Sequence, residues 1–306
     1  ILSLSFFSAN PVQAQKQSTA FCPPAVFSAF KKANPSPKTW KPITLTKSSQ
    51  KRYYKQTILL SYAKHALEDY KYWKKLVKSI ATRSQKKLNA FFRKNGFPNF
   101  RLRLIPGQLG IGSVFKINLK WKQIGKAKAV YYPKQQANFW TVRMKFGYTS
   151  GVRFYNLSNR FVTQIKSTDG WLATLVEAKS YNAYQLPLVA QKILSNISLE
   201  NALHHYTHVE FPFVKMNADV PVQFMVGMKL GKFTIARAKK RVRLVVTHKG
   251  AKAEAAFAIG SKGSAGPQKS NVYKIQTPFL FIISHTKPAK KVPVFVGYIT
   301  PKHWKR

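Results

Sequence analysis

Three histidines, His204, His205 and His208, fall close together, and on a helix His204 and His208 would share a face able to hold zinc. No Glu follows His204 at the spacing of a metalloprotease, and the residues after His208 have strand composition. The group is therefore read as surface histidines near a helix end, and no metal is assigned. Glu68 and Asp69 are neighbours in a helical stretch, which sends them in different directions; they are not the facing carboxylates of general acid–base catalysis. Gln108-Leu109-Gly110-Ile111-Gly112 lacks the third glycine and the later acidic residue of a dinucleotide fingerprint, and no phosphate-binding loop is present. The single cysteine, Cys22, excludes an internal disulfide framework and a multi-cysteine metal site. With 8 carboxylates in 306 residues, paired acid–base chemistry has little material to work with. The expectation is a protein that is not an enzyme and uses no cofactor.

What the chain has in excess is positive charge: 53 Lys and Arg against 8 Asp and Glu, a formal net charge of +45. The cations are interleaved with apolar residues along the chain, so they belong to a folded body and not to a detachable tail. Such a body attracts polyanions, whether heparin-like glycans, nucleic acid or acidic membranes. Hydrophobic residues make up 45% and aromatics 14%, enough for a substantial core. No apolar run reaches the roughly 18 residues of a membrane-spanning helix, so a soluble protein is expected. The sequons Asn156-Leu157-Ser158 and Asn196-Ile197-Ser198 lean towards secretion and mark Asn156 and Asn196 as glycosylation candidates. Residues 1–15 lack a basic start, and serines and a proline interrupt their apolar stretch; they read as a mature segment whose beginning is missing.

The elements that must carry these residues change character along the chain. Residues 21–50, rich in Pro, Ser, Thr and Lys, read as irregular connection. From 57 to 92 the spacing predicts helix: Ile58, Tyr62, Ala66, Tyr70, Trp73 and Val77 recur every three or four positions, Leu88, Phe91 and Phe92 follow, and Asn95-Gly96 with Pro98 stops the run. That aromatic stripe is read as core packing. Strands are predicted at 114–119, 139–144 and 161–165, then a short helix over 188–203 with Ser198 capping its second half. Strands return at 209–216, 241–247, 272–275, 279–283 and 292–299. Helices early and strands late predict one α+β domain over 1–306, not a doubly wound sheet.

Between the last two groups of strands lies Gly260-Ser261-Lys262-Gly263-Ser264-Ala265-Gly266-Pro267-Gln268, the clearest flexible segment. The run after it, from Pro278 through Phe279-Leu280-Phe281-Ile282-Ile283 to His285, then Phe295-Val296-Gly297 and Pro301, resembles the C-terminal signature of the serpins. Upstream the order continues: His248-Lys249 resembles the His-Lys before the serpin reactive loop, and Ala253-Glu254-Ala255-Ala256-Phe257-Ala258 resembles its hinge. Phe211-Pro212-Phe213 with Leu230-Gly231, the stretch from Phe115 to Trp121, Val142 with Met144, and Gly151 are similar to further family positions in the same order. Phe6-Phe7-Ser8 is similar to the Phe-Ser-Pro at the family's N-terminal core helix, with the proline delayed to Pro11. Serpins usually run longer, so an N-terminal helix and several connections are expected to be missing. Lys252 stands where the hinge has glycine, and Phe257 interrupts its small residues.

The resemblance implies helices packed on large, mostly antiparallel sheets, with an exposed or inserted reactive loop at 260–270, and an extracellular monomer that traps a serine protease. Lys262 and Lys269, the only cations of the loop, are its bait candidates and imply a trypsin-like target. Alternating strand geometry sets Ala253, Ala255, Phe257 and Ile259 on one apolar face, as insertion into a sheet requires. A heparin-like polyanion would bind the helical cations Lys71, Lys74, Lys75 and Lys78. Two other readings remain: a non-inhibitory serpin fold used for storage or binding, favoured by Phe257 and the short loop, and a cationic nucleic-acid-binding or virion structural protein, favoured by the charge. Residues 278–283 and 292–299 are expected as adjacent buried strands of a second sheet beside a larger one.

Overall fold

The computed structural model describes residues 18–43, 50–68 (side chains to 60), 74–106, 108–147, 150–157, 160–198, 202–203, 206–220, 222–252, 271–286 and 293–306. Among them are four α-helices and twenty strands, an α+β architecture.

The C-terminal apolar runs form its centre. β19 (Phe279–His285) and β20 (Pro293–Ile299) pair antiparallel with Phe281 opposite Gly297. Phe279 through Ile283 are each at most 1% exposed. The pair lies inside a seven-stranded sheet. β1 (Thr19–Phe21) borders β20, and β10 (Trp171–Glu177), β9 (Arg160–Lys166), β8 (Val152–Leu157) and β11 (Ala202–Leu203) follow in turn beyond β19. The two strands are thus adjacent and buried as expected, but in the largest described sheet and not in a second one. A run apolar at every position needs cover on both faces and a neighbour on both edges, which the middle of a wide sheet supplies.

A second sheet carries β18 (Val272–Lys274), β12 (His208–Pro212), β7 (Ala137–Lys145) and β6 (Lys126–Tyr132), with β18 and β12 parallel. A third runs β13 (Val214–Val220), β16 (Lys240–Thr247), β17 (Gly250–Lys252) and β5 (Asn118–Lys120), antiparallel throughout. Beside it β3 (Val77–Thr82) pairs with β4 (Gly110–Phe115), and a small sheet joins β2 (Trp40–Lys41), β14 (Lys229–Leu230) and β15 (Phe233–Thr234).

Several sequence expectations are corrected. The irregular stretch 21–50 contains β2 and the helix α1 (Pro23–Ala33): Pro23 and Pro24 open the first turn, where their missing N–H groups cost nothing. The long helix over 57–92 is α2 (Gln50–Glu68), then strand β3, then α3 (Gln85–Lys94), whose N-cap Ser84 accepts from the Lys87 N–H at 3.3 Å. Val77–Thr82 is a strand because the edge of Gly110–Phe115 lies alongside it over its full length. Lys74 and Lys75 therefore sit in a short 3-10 turn and Lys78 on a strand, not on a helix; all three are exposed, and Lys71 lies outside the described residues. The helix 188–203 is α4 (Leu186–Ser195), ending at Asn196, and 202–203 is strand. The strand 209–216 breaks at Phe213, whose N–H donates to the Trp140 carbonyl at 2.7 Å, so β12 and β13 belong to different sheets. The strand 114–119 likewise breaks after Phe115, where the Lys116 N–H donates to the Leu76 carbonyl at 2.9 Å. His208 opens β12, so it shares no helical face with a neighbour; His204 and His205 lie outside the described residues.

Candidate functional site

β16 ends at Thr247, turns through His248-Lys249 and returns as β17, with Thr247 opposite Gly250 and Val245 opposite Lys252. β17 is also paired on its other edge, Gly250 to Lys120 and Lys252 to Asn118, so it is wedged between two strands. The turn is tied down: the Lys249 carbonyl accepts from the Trp121 N–H (3.2 Å), the His248 carbonyl from the Gly125 N–H (2.8 Å), and the Thr247 carbonyl from the Trp121 Nε1 (2.9 Å). The His248 ring stacks on Phe213 at 5.7 Å, and burial there lowers its pKa. Glycine at 250 is a packing requirement, since a Cβ would run into the Leu119 carbonyl oxygen.

Beyond Lys252 the sheet opens. β16 has no described strand on this side from Lys240 to Leu244, and β4 has none on the edge away from β3. Between these two edges lies a cavity of ≈ 380 Å³ directly in line with β17, bordered by Ile111, Ser113 and Phe115 of β4, Val242 and Arg243 of β16, and Ala25 and Phe30 of α1. α1 is fastened beneath it: Ser113 Oγ donates to the Ala25 carbonyl, and Ser28 Oγ meets Ser79 Oγ at 2.6 Å. Arg243 leans across, its Nη1 donating to the Gly96 carbonyl at 2.6 Å and its guanidinium lying 5.0 Å from the Phe97 ring. Lys240 is the odd member. Among the described residues its Nζ has no hydrogen-bond partner; it is shut off from solvent 4.4 Å from the Phe21 ring, and burial lowers its pKa to about 8. Burial likewise raises the thiol of nearby Cys22 to about 11, so it stays neutral.

Of the site residues expected from sequence, the hinge (Ala253, Glu254, Ala255, Ala256, Phe257, Ala258) and the bait candidates Lys262 and Lys269 lie outside the described residues. The described chain stops at Lys252, at the mouth of the slot, and resumes at Asn271. There Glu177 anchors it: Oε1 accepts from Thr277 Oγ1 at 2.8 Å and from the Gln276 N–H at 3.2 Å, and Oε2 from the Tyr273 hydroxyl at 3.2 Å. Asn156 on β8 and Asn196 at the end of α4 are both exposed. Sequence reasoning missed Lys240 and the slot itself, which is assembled from segments near residues 25, 113 and 242 and leaves no local signal.

Solved structures share this arrangement of the chain as a whole. A highly specific serpin of the insect Tenebrio molitor superposes with a TM-score of 0.56, at 12% identity over 94% of this chain and 93% of that one. The chain has the serpin fold. Mouse protein-Z dependent protease inhibitor is similar at a TM-score of 0.57, 11% identity and 93% and 91% coverage. Thyroxine-binding globulin in complex with thyroxine is similar at 0.53, 10% identity and 94% of both chains. No family model and no curated protein matches the sequence. The fold is therefore common to a protease inhibitor and to a thyroxine-binding protein. Residues 6–8 lie outside the described residues; the described junction of strand and helix under the sheet is Phe21-Cys22-Pro23, with cysteine between the phenylalanine and the proline.

Proposed function

We propose that the protein is an inhibitor of the serpin type. It offers residues 260–270 to a serine protease, and after cleavage the chain from Ala253 onward continues β17 as a new strand between β16 and β4. The observation that carries this reading is the foothold of β17 in line with the slot. Extending its register along β16 sets Ala253 beside Leu244, Ala255 beside Val242 and Phe257 beside Lys240, all on the face of β16 turned to the core, where Leu244 and Val242 are 0% and 6% exposed. Apolar residues on that face supply the burial that drives insertion. Phe257, anomalous as a hinge residue, then enters the part of the slot already lined by aromatic rings. Glu254 comes beside Arg243, which can exchange the Gly96 carbonyl for a carboxylate.

In this reading the bait bond follows Lys262 or Lys269, the target is trypsin-like, and the protein works outside the cell, with Asn156 and Asn196 exposed for glycosylation. Lys74, Lys75 and Lys78 form part of a polyanion-binding surface. The test is incubation with trypsin-like proteases. The expected result is a denaturant-resistant covalent complex, with a cleaved inhibitor that melts at a higher temperature than the intact one. Two fragments, an active protease and no gain in melting temperature would overturn inhibition. That second pattern would favour a carrier, a reading supported by the similarity to thyroxine-binding globulin.

A further inference from the structure

Exposed aromatic rings and uncompensated cations come together on one side of the pair β6–β7, away from the slot. Ile124, Tyr131 and Trp140 are 67%, 55% and 38% exposed, and they belong to β6, β7 or the segment leading into β6. Directly opposed residues share a face: Ala129 is opposite Trp140 and Tyr131 opposite Asn138, so Tyr131 and Trp140 are diagonal neighbours on one side, with backbones about 7–8 Å apart. On the other side Tyr132 and Phe139 are covered by the Trp304 ring, at 5.4 and 5.3 Å. Ala129 is too short to cover the Trp140 indole. The indole is instead the outer member of a row of rings, with Phe213 behind it at 6.4 Å and His248 stacked on Phe213 at 5.7 Å. Single exposed apolar residues are ordinary on a protein surface; two rings side by side, one of them ending such a row, make a platform. The charge around it has one sign. No Asp or Glu occurs between Ile124 and Lys145. Lys126 and Lys128 are exposed on β6, Lys134 follows in the turn after it, and Lys305 Nζ lies 6.0 Å from the centre of the Trp140 ring. Among the described residues β6 is the last strand of its sheet, so it presents an unpaired backbone edge.

We infer that this surface binds a single-stranded nucleic acid, its bases stacked on Tyr131 and Trp140 and its phosphates held along the rim by Lys126, Lys128, Lys134 and Lys305. The site does not depend on the inhibitory reading. Lys126 and Lys128 alternate to the opposite face of the edge strand from Tyr131, so a chain following that edge meets rings on one side and ammonium groups over the rim. A heparin-like glycan offers charge but no flat ring. A duplex offers charge and hides the faces of its bases inside the stack. An unpaired strand presents both at once, and stacking of this kind tolerates any base, so no sequence preference is expected.

The probe is a fluorescein-labelled oligothymidylate of about eight nucleotides, followed by anisotropy as the intact protein is added at about 0.3 M salt, where general Coulomb attraction is weakened. The wild-type protein is expected to bind it at least about tenfold more tightly than a duplex of the same length, the worth of one stacked base. Tyr131→Ala and Trp140→Ala should each weaken single-strand binding by roughly tenfold, while Trp140→Phe, which keeps a ring, should retain most of it. Elution of all three variants from immobilised heparin should match the wild type, because their charge is unchanged. Equal affinity of the wild-type protein for single strand and duplex, or no binding of the single strand, would overturn the site, and that comparison needs no variant to fold. Alanine variants that bind the oligonucleotide as the wild type does, or that lose it only in step with heparin, would overturn the platform as well.

Discussion

An ammonium beside a phenyl ring and out of reach of water loses most of its hydration, which is why burial lowers Lys240 from 10.5 to about 8. The unfolded chain keeps that proton up to pH 10.5 while the folded chain releases it near 8, so the unfolded state binds more protons in between and stability rises with pH across this window. The full gain is on the order of 3 kcal/mol. Cys22 acts in the opposite sense: raised from 9.0 to about 11, it keeps its proton longer in the folded state, and its deprotonation in the unfolded chain takes stability away over that range. Denaturant titrations of the ligand-free protein should therefore show stability climbing from pH 8 to 9 and levelling above. Lys240→Met should abolish the climb, and Cys22→Ala should extend it. A wild-type profile flat from pH 7.5 to 9 (roughly the span over which the lysine term acts alone) would mean that Lys240 reaches water.

At the level of elements, β17 is the part on which function turns, and Gly250 is its most exacting residue. Gly250→Ala would press a methyl group into the Leu119 carbonyl and push the strand out from between β5 and β16. Overall stability should change little, because β17 is three residues long, but cleavage should shift from covalent trapping to plain substrate turnover. A variant that traps protease at the wild-type yield would show that the wedge has no part in insertion. By contrast Phe281→Ala, at a position 0% exposed in β19, should cost about 3–5 kcal/mol in chemical denaturation wherever the loop stands. The two positions also mark what the sequence made legible. The apolar run at 279–283 announces a buried strand by itself, and its order relative to Gly297 and His248 was enough to suggest the fold. The strand at Val77–Thr82 was hidden because Trp73 and Val77 extend the helical spacing of α2 by coincidence, and a short strand whose partner lies across the α3 segment, at Gly110–Phe115, gives no period of its own. α1 was masked by its prolines. The slot could not be read from any window, since its walls lie far apart in the chain and only the shortage of carboxylates hints at the unpaired lysine.

For the molecule as a whole, 53 cations against 8 anions leave a body whose charges repel one another, and Asp219 can answer only a few of them. If Lys74, Lys75 and Lys78 belong to a polyanion site, retention on immobilised heparin should drop steeply with salt and move to lower salt when the three are replaced by alanine. Elution unchanged by the replacements would place the binding elsewhere. Added salt should also raise the melting temperature by screening the self-repulsion. The arrangement of the seven-stranded sheet bears on how such a chain is made. β1, near residue 20, has β20, near residue 296, as its partner, and Ser18 Oγ meets Thr300 Oγ1 at 2.9 Å. β19 and β20, the buried pair that joins β1 to β10, are made after every other described strand of this sheet. The early helices can pack on β3 and β4 as soon as these are made, but until β20 appears α1 lacks that strand at its side and β1 has no edge to join while some 280 residues are synthesised. The seven-stranded sheet can therefore close only once the segment beyond residue 278 has been made, and a ribosome that stalls before residue 279 releases a chain in which β1 and β10 each lack a partner strand.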